Sequence, residues 1–376
     1  METLTRTEND SSLVFKISKL LSVLNDNVTT ADELGETQIQ SIQALKDSGL
    51  LGCLVPRKYG GMEKDVSFAS NLIEQIASTD PSIAIIAFQH MSVISRIMEW
   101  GSTKQQNKYL PLLASGQWIA ASAWSEKGAG ANKQKLSTIA TKLDKDKWSI
   151  SGSKTFTTGA GLANLYLVLV QTSLIEAEGE YGNSGQSFFL LETQEAGIKA
   201  NSKLNLSGMR GSSTGFIDLE DCVVSNSCVL GPLGAAPKII SNIRRSGLSL
   251  GAVSVGICQA AYDLALNHIR TRKLEDKSSI QLKLSQLNMH IEAARSLVEI
   301  SATGTRENQS AVSYQSKIFA SEISEMVCRE CQQIVGGSGF MRGNKVERFY
   351  RDARAVALMG PVNDLAKEII GKELIQ

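Results

Sequence analysis

Three glycines within four residues, Gly336, Gly337 and Gly339, lie in the run Gln333-Ile334-Val335-Gly336-Gly337-Ser338-Gly339-Phe340. A charged helical run follows, Val346-Glu347-Arg348-Phe349-Tyr350-Arg351-Asp352. Such a bend lets backbone N–H groups approach a phosphate or nucleotide closely, and it equally makes a tight helix–helix turn. Two other stretches carry hydroxyls beside small or aromatic residues. One is Ala123-Trp124-Ser125-Glu126-Lys127-Gly128-Ala129-Gly130-Ala131-Asn132; the other is Gly152-Ser153-Lys154-Thr155-Phe156-Thr157-Thr158-Gly159-Ala160. An aromatic stacks on a planar ring system and a hydroxyl hydrogen-bonds its heteroatoms, while the same residue types serve equally well as core and strand edge. Metal-ligating types are sparse. Cys328 and Cys331 have metal or redox spacing, but no second cysteine pair or clustered histidine completes a site, so no metal centre is expected. His90, His268 and His290 fall in helical stretches without an orienting acid and read as packing or surface residues, with His90 on the most apolar helix.

The chain has 376 residues, enough for two or three domains, and a net charge of +1, which gives no basic field for nucleic acid. Its six cysteines are scattered through apolar surroundings and do not form a disulfide framework, so a reduced, cytoplasmic setting is expected. The opening Met1 to Asp10 is polar and lacks a secretory core. No apolar run reads as long enough to span a bilayer.

These residues must be positioned by three kinds of segment. From about Ser11 to Leu113 the apolar period is helical: Leu20, Leu21 and Leu24; then Ile39, Ile42, Leu45 and Leu50; then Leu72, Ile73 and Ile76. Asp80-Pro81-Ser82 starts a further helix, apolar on most sides. Between Gln117 and about Leu230 the runs shorten and alternate, at 148–152, 165–170, 188–191 and 216–219, which predicts a β domain built as a barrel or folded sheet. Long helical periodicity returns from Lys238, as in Ala252 to Arg272 and Ile280 to Ala302. Three segments follow: residues 1–116, 117–232 and 233–376.

Taken together, QIVGGSGF followed by VERFYRDAR resembles the C-terminal signature of the acyl-CoA dehydrogenase superfamily, flavoproteins that desaturate acyl thioesters. AWSEKGAGAN resembles that family's T-E-P-G-A-G-S-D stretch, and GSKTFTTGA its G-x-K-x-W-I-T-N-G stretch, with Phe156 in place of tryptophan. Gly208-Met209-Arg210-Gly211-Ser212-Ser213-Thr214 matches G-x-R-x-S-x-T. The resemblance implies an α+β fold: an N-terminal helical domain, a middle β-barrel-like domain and a C-terminal four-helix bundle. It implies FAD, with Trp124, Ser125, Gly130, Ala131, Phe156, Thr157, Thr158, Val362 and Asn363 around the cofactor. Arg272 falls where the family reaches the FAD diphosphate, and Gln333, Ile334, Gly336 and Gly337 where it meets FAD of a neighbouring subunit. A homodimer or homotetramer is therefore expected. The family's T-F-G after that arginine is here Leu274-Glu275-Asp276.

The family's dehydrogenases abstract the α-proton of an acyl thioester with a glutamate while hydride leaves the β-carbon for the flavin. Aligned on Arg351-Asp352-Ala353, the usual position of that glutamate is Gly360. The alternative position, on the first helix of the C-terminal domain, is Ser246, with Gly247 in place of the family's arginine and Arg245 one residue before. Asp364, one turn beyond Gly360, is a weak substitute at a helix start. Ala131 and Asn132 replace the serine and aspartate associated with CoA, so Ala131, Arg245, Ser246 and Gly360 are the expected substrate-side residues. The sequence predicts an oxidoreductase for a small acyl or hydroxyacyl thioester, on CoA or, as the eroded CoA contacts suggest, on a carrier protein in polyketide or peptide biosynthesis. A two-component flavin monooxygenase served by a flavin reductase is the second reading, and a non-catalytic scaffold the third. An electron-transfer partner is expected for the first, and neither nucleic acid nor membrane for any.

Overall fold

The computed structural model describes residues 2–131, 133–174, 182–201 and 204–375, with the side chains of residues 2–10 and 243–245 outside that description. Five helices come first: α1 (Glu2–Leu34), α2 (Ile39–Asp47), α3 (Val66–Ala77), α4 (Pro81–Trp100) and α5 (Thr103–Ala114). Their starts are set by side chains. The Asp80 carboxylate accepts from the Ser82 and Ile83 N–H groups at 2.9 and 3.2 Å, with Pro81 at the first helical position. Ser102 and Gln105 form a reciprocal capping box on α5. By length and composition α4 is apolar enough to cross a membrane, which the reading of the sequence had not expected; here it is largely buried inside the protein.

Strands β1 (Ala120–Ala123), β2 (Ile139–Lys142), β3 (Lys147–Thr157), β4 (Leu165–Gln171), β5 (Gln186–Glu192), β6 (Ile198–Asn201), β7 (Gly215–Ser225) and β8 (Val229–Leu230) form one sheet in the order β6-β7-β3-β2-β4-β5-β8, with β1 parallel to β4. The unbroken apolar run of β4 has a packing cause. Tyr166, Val168 and Val170 enter one hydrophobic core, while Leu165, Leu167 and Leu169 enter a second one, shared with Val93, Ile94 and Ile97 of α4. A strand buried on both faces has no polar face to alternate with.

The chain closes with α6 (Ala236–Arg245), α7 (Gly251–Thr271), α8 (Ser278–Thr303), α9 (Gln309–Val335), α10 (Lys345–Leu358) and α11 (Asn363–Ile375). Helices α7 to α10 pack on one another, and α7 also packs on α3, where Gly256 is required: a Cβ there would stand 2.2 Å from the Glu74 carbonyl oxygen. Cys328 and Cys331 are buried on α9 as free thiols.

The loop before β7 bolts the sheet to both helical layers. Arg210 donates from Nε to the Asp32 carbonyl oxygen at 2.6 Å, Ser82 accepts from the Gly211 N–H at 3.2 Å, and Asp352 accepts from the Met209 N–H. Arg351 spans Asp32 and Glu347 with charge-assisted hydrogen bonds. The motif residues of three distant stretches of sequence thus hold one another in register.

Candidate active site

The two hydroxyl-bearing motifs are clamped together by a buried ion pair. Lys154 Nζ donates to Glu126 Oε1 at 2.5 Å, and the glutamate also accepts from the Ser137 N–H and hydroxyl at 2.6 and 2.7 Å. Burial lowers the Lys154 ammonium to about 8, opposed by Glu126; for Glu126 burial acts upward, and Lys154 and Ser137 outweigh it to hold the carboxylate below its ordinary value. The Thr155 N–H donates to the Ser125 carbonyl oxygen at 2.8 Å, which sets the motifs side by side.

A register shift between β3 and β7 follows at Lys154–Thr157, and within it Phe156 takes a left-handed backbone, φ 53°. A bulky residue is strained there. The bulge turns its ring, 64 % exposed, onto the wall of a cavity of about 620 Å³. Trp124, Ser125, Thr158, Ser212 and Thr214 line the same cavity, and the Ser212 and Thr214 hydroxyls are 2.8 Å apart. The buried Trp124 Nε1 and Thr157 Oγ1 have no hydrogen-bond partner among the described residues. An exposed aromatic held in strain beside hydroxyls and orphaned donors is a setting suited to a planar, heteroatom-rich ring such as a flavin's, and the residues present fit that group.

The cavity is lined further by Ser246, Leu248 and Leu250, and by Gly360 and Pro361 at the turn between α10 and α11. Lys317 of α9 reaches this turn from within. It is 4 % exposed, and Nζ donates to Met359 O at 3.0 Å, Pro361 O at 2.8 Å and Asn363 Oδ1 at 2.8 Å. Burial lowers its ammonium to about 7, with the charge of Glu322 acting in the opposite direction. Among the described residues no aspartate or glutamate lines the cavity, although Arg96, Lys133, Lys317, Arg351 and Arg354 do.

The structure brings Trp124, Ser125, Phe156, Thr158, Ser246 and Gly360 to one cavity, with Thr157 buried beside Phe156. Gly130 and Ala131 are exposed outside its lining, as are Asp364 and, at the C-terminal end of α7, Arg272. Gln333, Ile334, Gly336 and Gly337 sit at the end of α9, also away from it, with open space where Cβ atoms of the two glycines would be. Val362 is half-buried, and Asn363 is committed to Lys317 and, through Nδ2, to the Ser321 hydroxyl at 3.0 Å. The Arg245 side chain and Asn132 lie outside the described residues. His90 is buried on α4, where Nδ1 accepts from the Ala120 N–H at 3.1 Å and burial lowers its pKa to about 4, a packing role.

Sequence reasoning passed over Glu126, Lys154, Lys317, Lys133 and Arg96 as site residues. Arg96 carried a signal, as the one residue with a fixed charge between Asp80 and Glu99 in an apolar helix. Lys317 carried none, because its partners are backbone carbonyls forty or more residues away in sequence.

Known proteins place this arrangement. The models of the acyl-CoA dehydrogenase N-terminal, middle and C-terminal domains match residues 21–117, 121–222 and 237–375. The probable acyl-CoA dehydrogenase FadE25 of Mycobacterium tuberculosis is 28% identical over 355 residues, covering 92% of this chain and 90% of its own. Butyryl-CoA dehydrogenase from Megasphaera elsdenii superposes with a TM-score of 0.89 at 28% identity, covering 98% of both chains. The prolyl acyl carrier protein oxidase AnaB shares the fold, with a TM-score of 0.86 at 22% identity over 97% of this chain and 99% of its own. With three consecutive domain models matched in order and relatives aligned along almost the whole length, the chain belongs to the acyl-CoA dehydrogenase family of flavin-dependent oxidoreductases.

Proposed function

We propose that this protein oxidises a small acyl or hydroxyacyl thioester presented on a carrier protein, and that it does so without a carboxylate base. The observation that carries the reading is the cavity wall, which among the described residues holds no acid; the motif resemblance puts the family's glutamate at Gly360 or Ser246. Bound FAD supplies the hydride acceptor. Trp124, Ser125, Phe156, Thr157 and Thr158 hold its ring. Arg272, Gln333, Ile334, Gly336 and Gly337, which lie away from this chain's cavity, serve the diphosphate and adenylate of a second copy's cofactor in a homodimer or homotetramer. Electrons then pass to an electron-transfer partner.

Without a carboxylate in the cavity lining, and with the Lys317 ammonium committed to three oxygens, the proton leaves to water or to a group on the substrate. That suits an alcohol, an aldehyde hydrate or an already acidic thioester more than a simple alkyl chain. The exchange of Ser and Asp for Ala131 and Asn132, and of Arg for Gly247, weakens the contacts that a CoA nucleotide would use, which favours a carrier-bound substrate. The protein is mixed anaerobically with carrier-bound and CoA-bound acyl and hydroxyacyl thioesters while the flavin band is followed. Bleaching by a carrier thioester, about tenfold faster than by its CoA counterpart, is expected. No bleaching by any thioester overturns the reading. A product that forms only with oxygen and a flavin reductase instead assigns the acid-free cavity, with its Ser125 and Thr158 hydroxyls, to monooxygenation.

A further inference from the structure

Arg96 is a charged group in the cavity wall that the oxidation chemistry leaves unused. It is 2 % exposed, and its Nε and Nη1 find no hydrogen-bond acceptor among the described residues. Its Nη2 stands 3.6 Å from Glu99 Oε2, too far for a hydrogen bond, and that partly exposed glutamate also accepts from Asn242 Nδ2 at 3.0 Å. A guanidinium keeps its proton, so the helix buries a cation whose Nε and Nη1 lack acceptors and whose counter-charge, Glu99, is partly exposed and shared with Asn242. Such a group is costly unless a partner completes it.

The surroundings say what the partner is. Gln89, Ser92 and Arg96 recur at one-turn spacing along α4, and all three line the cavity. The apolar Ile240, Leu248 and Leu250 line the same cavity. Lys133 lines the same cavity, whereas Lys317 is committed to the turn oxygens and the other two lining arginines are already paired, Arg351 with Asp32 and Glu347, and Arg354 with Glu325. A ligand with a short apolar chain ending in an anion matches this combination of apolar lining and an incompletely satisfied guanidinium.

We infer that Arg96 forms an anion subsite and that the acyl group of the substrate ends in a carboxylate bound there. The inference rests on the oxidoreductase reading for the thioester, but its test reads binding and oxidation separately. The flavin-loaded protein is titrated with pantetheine thioesters paired by chain length, butyryl against succinyl and hexanoyl against adipoyl, and binding is followed by the shift of the flavin band. In at least one pair the carboxylated member is expected to bind about 30-fold tighter, the range of a hydrogen-bonded charge pair. Arg96→Met removes that preference and leaves the neutral member within about twofold, since the apolar replacement of an incompletely hydrogen-bonded buried cation is tolerated by the fold. Arg96→Gln, with a shorter polar side chain, repeats the test.

Equal binding within both pairs overturns the inference, and so does a preference that survives both substitutions. Inorganic phosphate that displaces the succinyl thioester far better than succinate does, at matched ionic strength, would make the subsite a phosphate site and also overturn it. Selective binding without flavin reduction keeps the subsite and removes the oxidoreductase reading; reduction without selectivity does the reverse.

Discussion

The Lys317 Nζ donates to the carbonyl oxygens of Met359 and Pro361 at 3.0 and 2.8 Å, bracketing Gly360 with one buried ammonium. The turn between α10 and α11 is therefore braced by a buried ammonium. Replacing Lys317 by Met leaves these two carbonyls and Asn363 Oδ1 without their donor. Loss of the buried charge offsets part of the cost, and a net destabilisation of about 2 kcal/mol is expected in urea unfolding. Unchanged stability would mean that the turn is held by other contacts.

Phe156 separates strain from binding. Its backbone is left-handed and its ring is 64 % exposed, so Phe156→Gly removes a conformational penalty of about 1 kcal/mol and little packing. The variant is expected to unfold at the same or higher urea concentration while its flavin dissociation constant rises about tenfold, as lost ring stacking requires. Fluorescence titration of the apoprotein with FAD reads the second quantity. A variant that binds flavin as tightly as the parent would remove Phe156 from the cofactor site.

The carboxylate that anchors Met209 should make stability depend on pH. Burial raises Asp352 to about 7 from an ordinary 3.8, with Arg348 acting in the opposite direction. Between about pH 4 and 7 the folded protein keeps a proton that the unfolded chain has released, so this group's contribution to stability falls as pH rises through that window. Asp352→Asn keeps an oxygen acceptor for the Met209 N–H and removes this titration. Urea unfolding at pH 5 and pH 8 is expected to show a smaller difference for the variant than for the parent. Some pH dependence remains, because burial also raises Asp80 to about 6. An identical pH profile for both proteins would contradict the assignment.

Local patterning made much of this architecture readable. Asp80-Pro81-Ser82 announced α4, and the apolar runs at 165–170 and 188–191 announced β4 and β5, because caps and strand periods are short-range properties. The motif residues Trp124, Ser125, Phe156 and Thr158 were legible as a set through resemblance, and they meet in one cavity. What the sequence concealed depends on distant contacts. The left-handed turn at Phe156 arises from a register shift against β7, some sixty residues away, and the brace at Lys317 from carbonyls that any residue type supplies. The orphaned nitrogens of Arg96 are visible only once every neighbour in space is known.

If the missing base is what separates this protein from a proton-abstracting dehydrogenase, restoring it should restore one partial reaction. Gly360 lines the cavity, and Lys317 holds the two carbonyls beside it. A glutamate introduced there by Gly360→Glu enters an apolar setting that raises its pKa, while the nearby ammonium limits the rise. The expected gain is exchange of the α-protons of a bound butyryl thioester into deuterated water, by about 100-fold over the parent, the lower end of what a positioned base contributes. The rate should climb with pH as the carboxylate loses its proton and then level off. Exchange is the appropriate readout because it needs no hydride transfer and so reports the base alone. If the thioester still binds and no exchange appears, Gly360 does not face the α-carbon, and the acid-free chemistry assigned to this cavity loses its main geometric support.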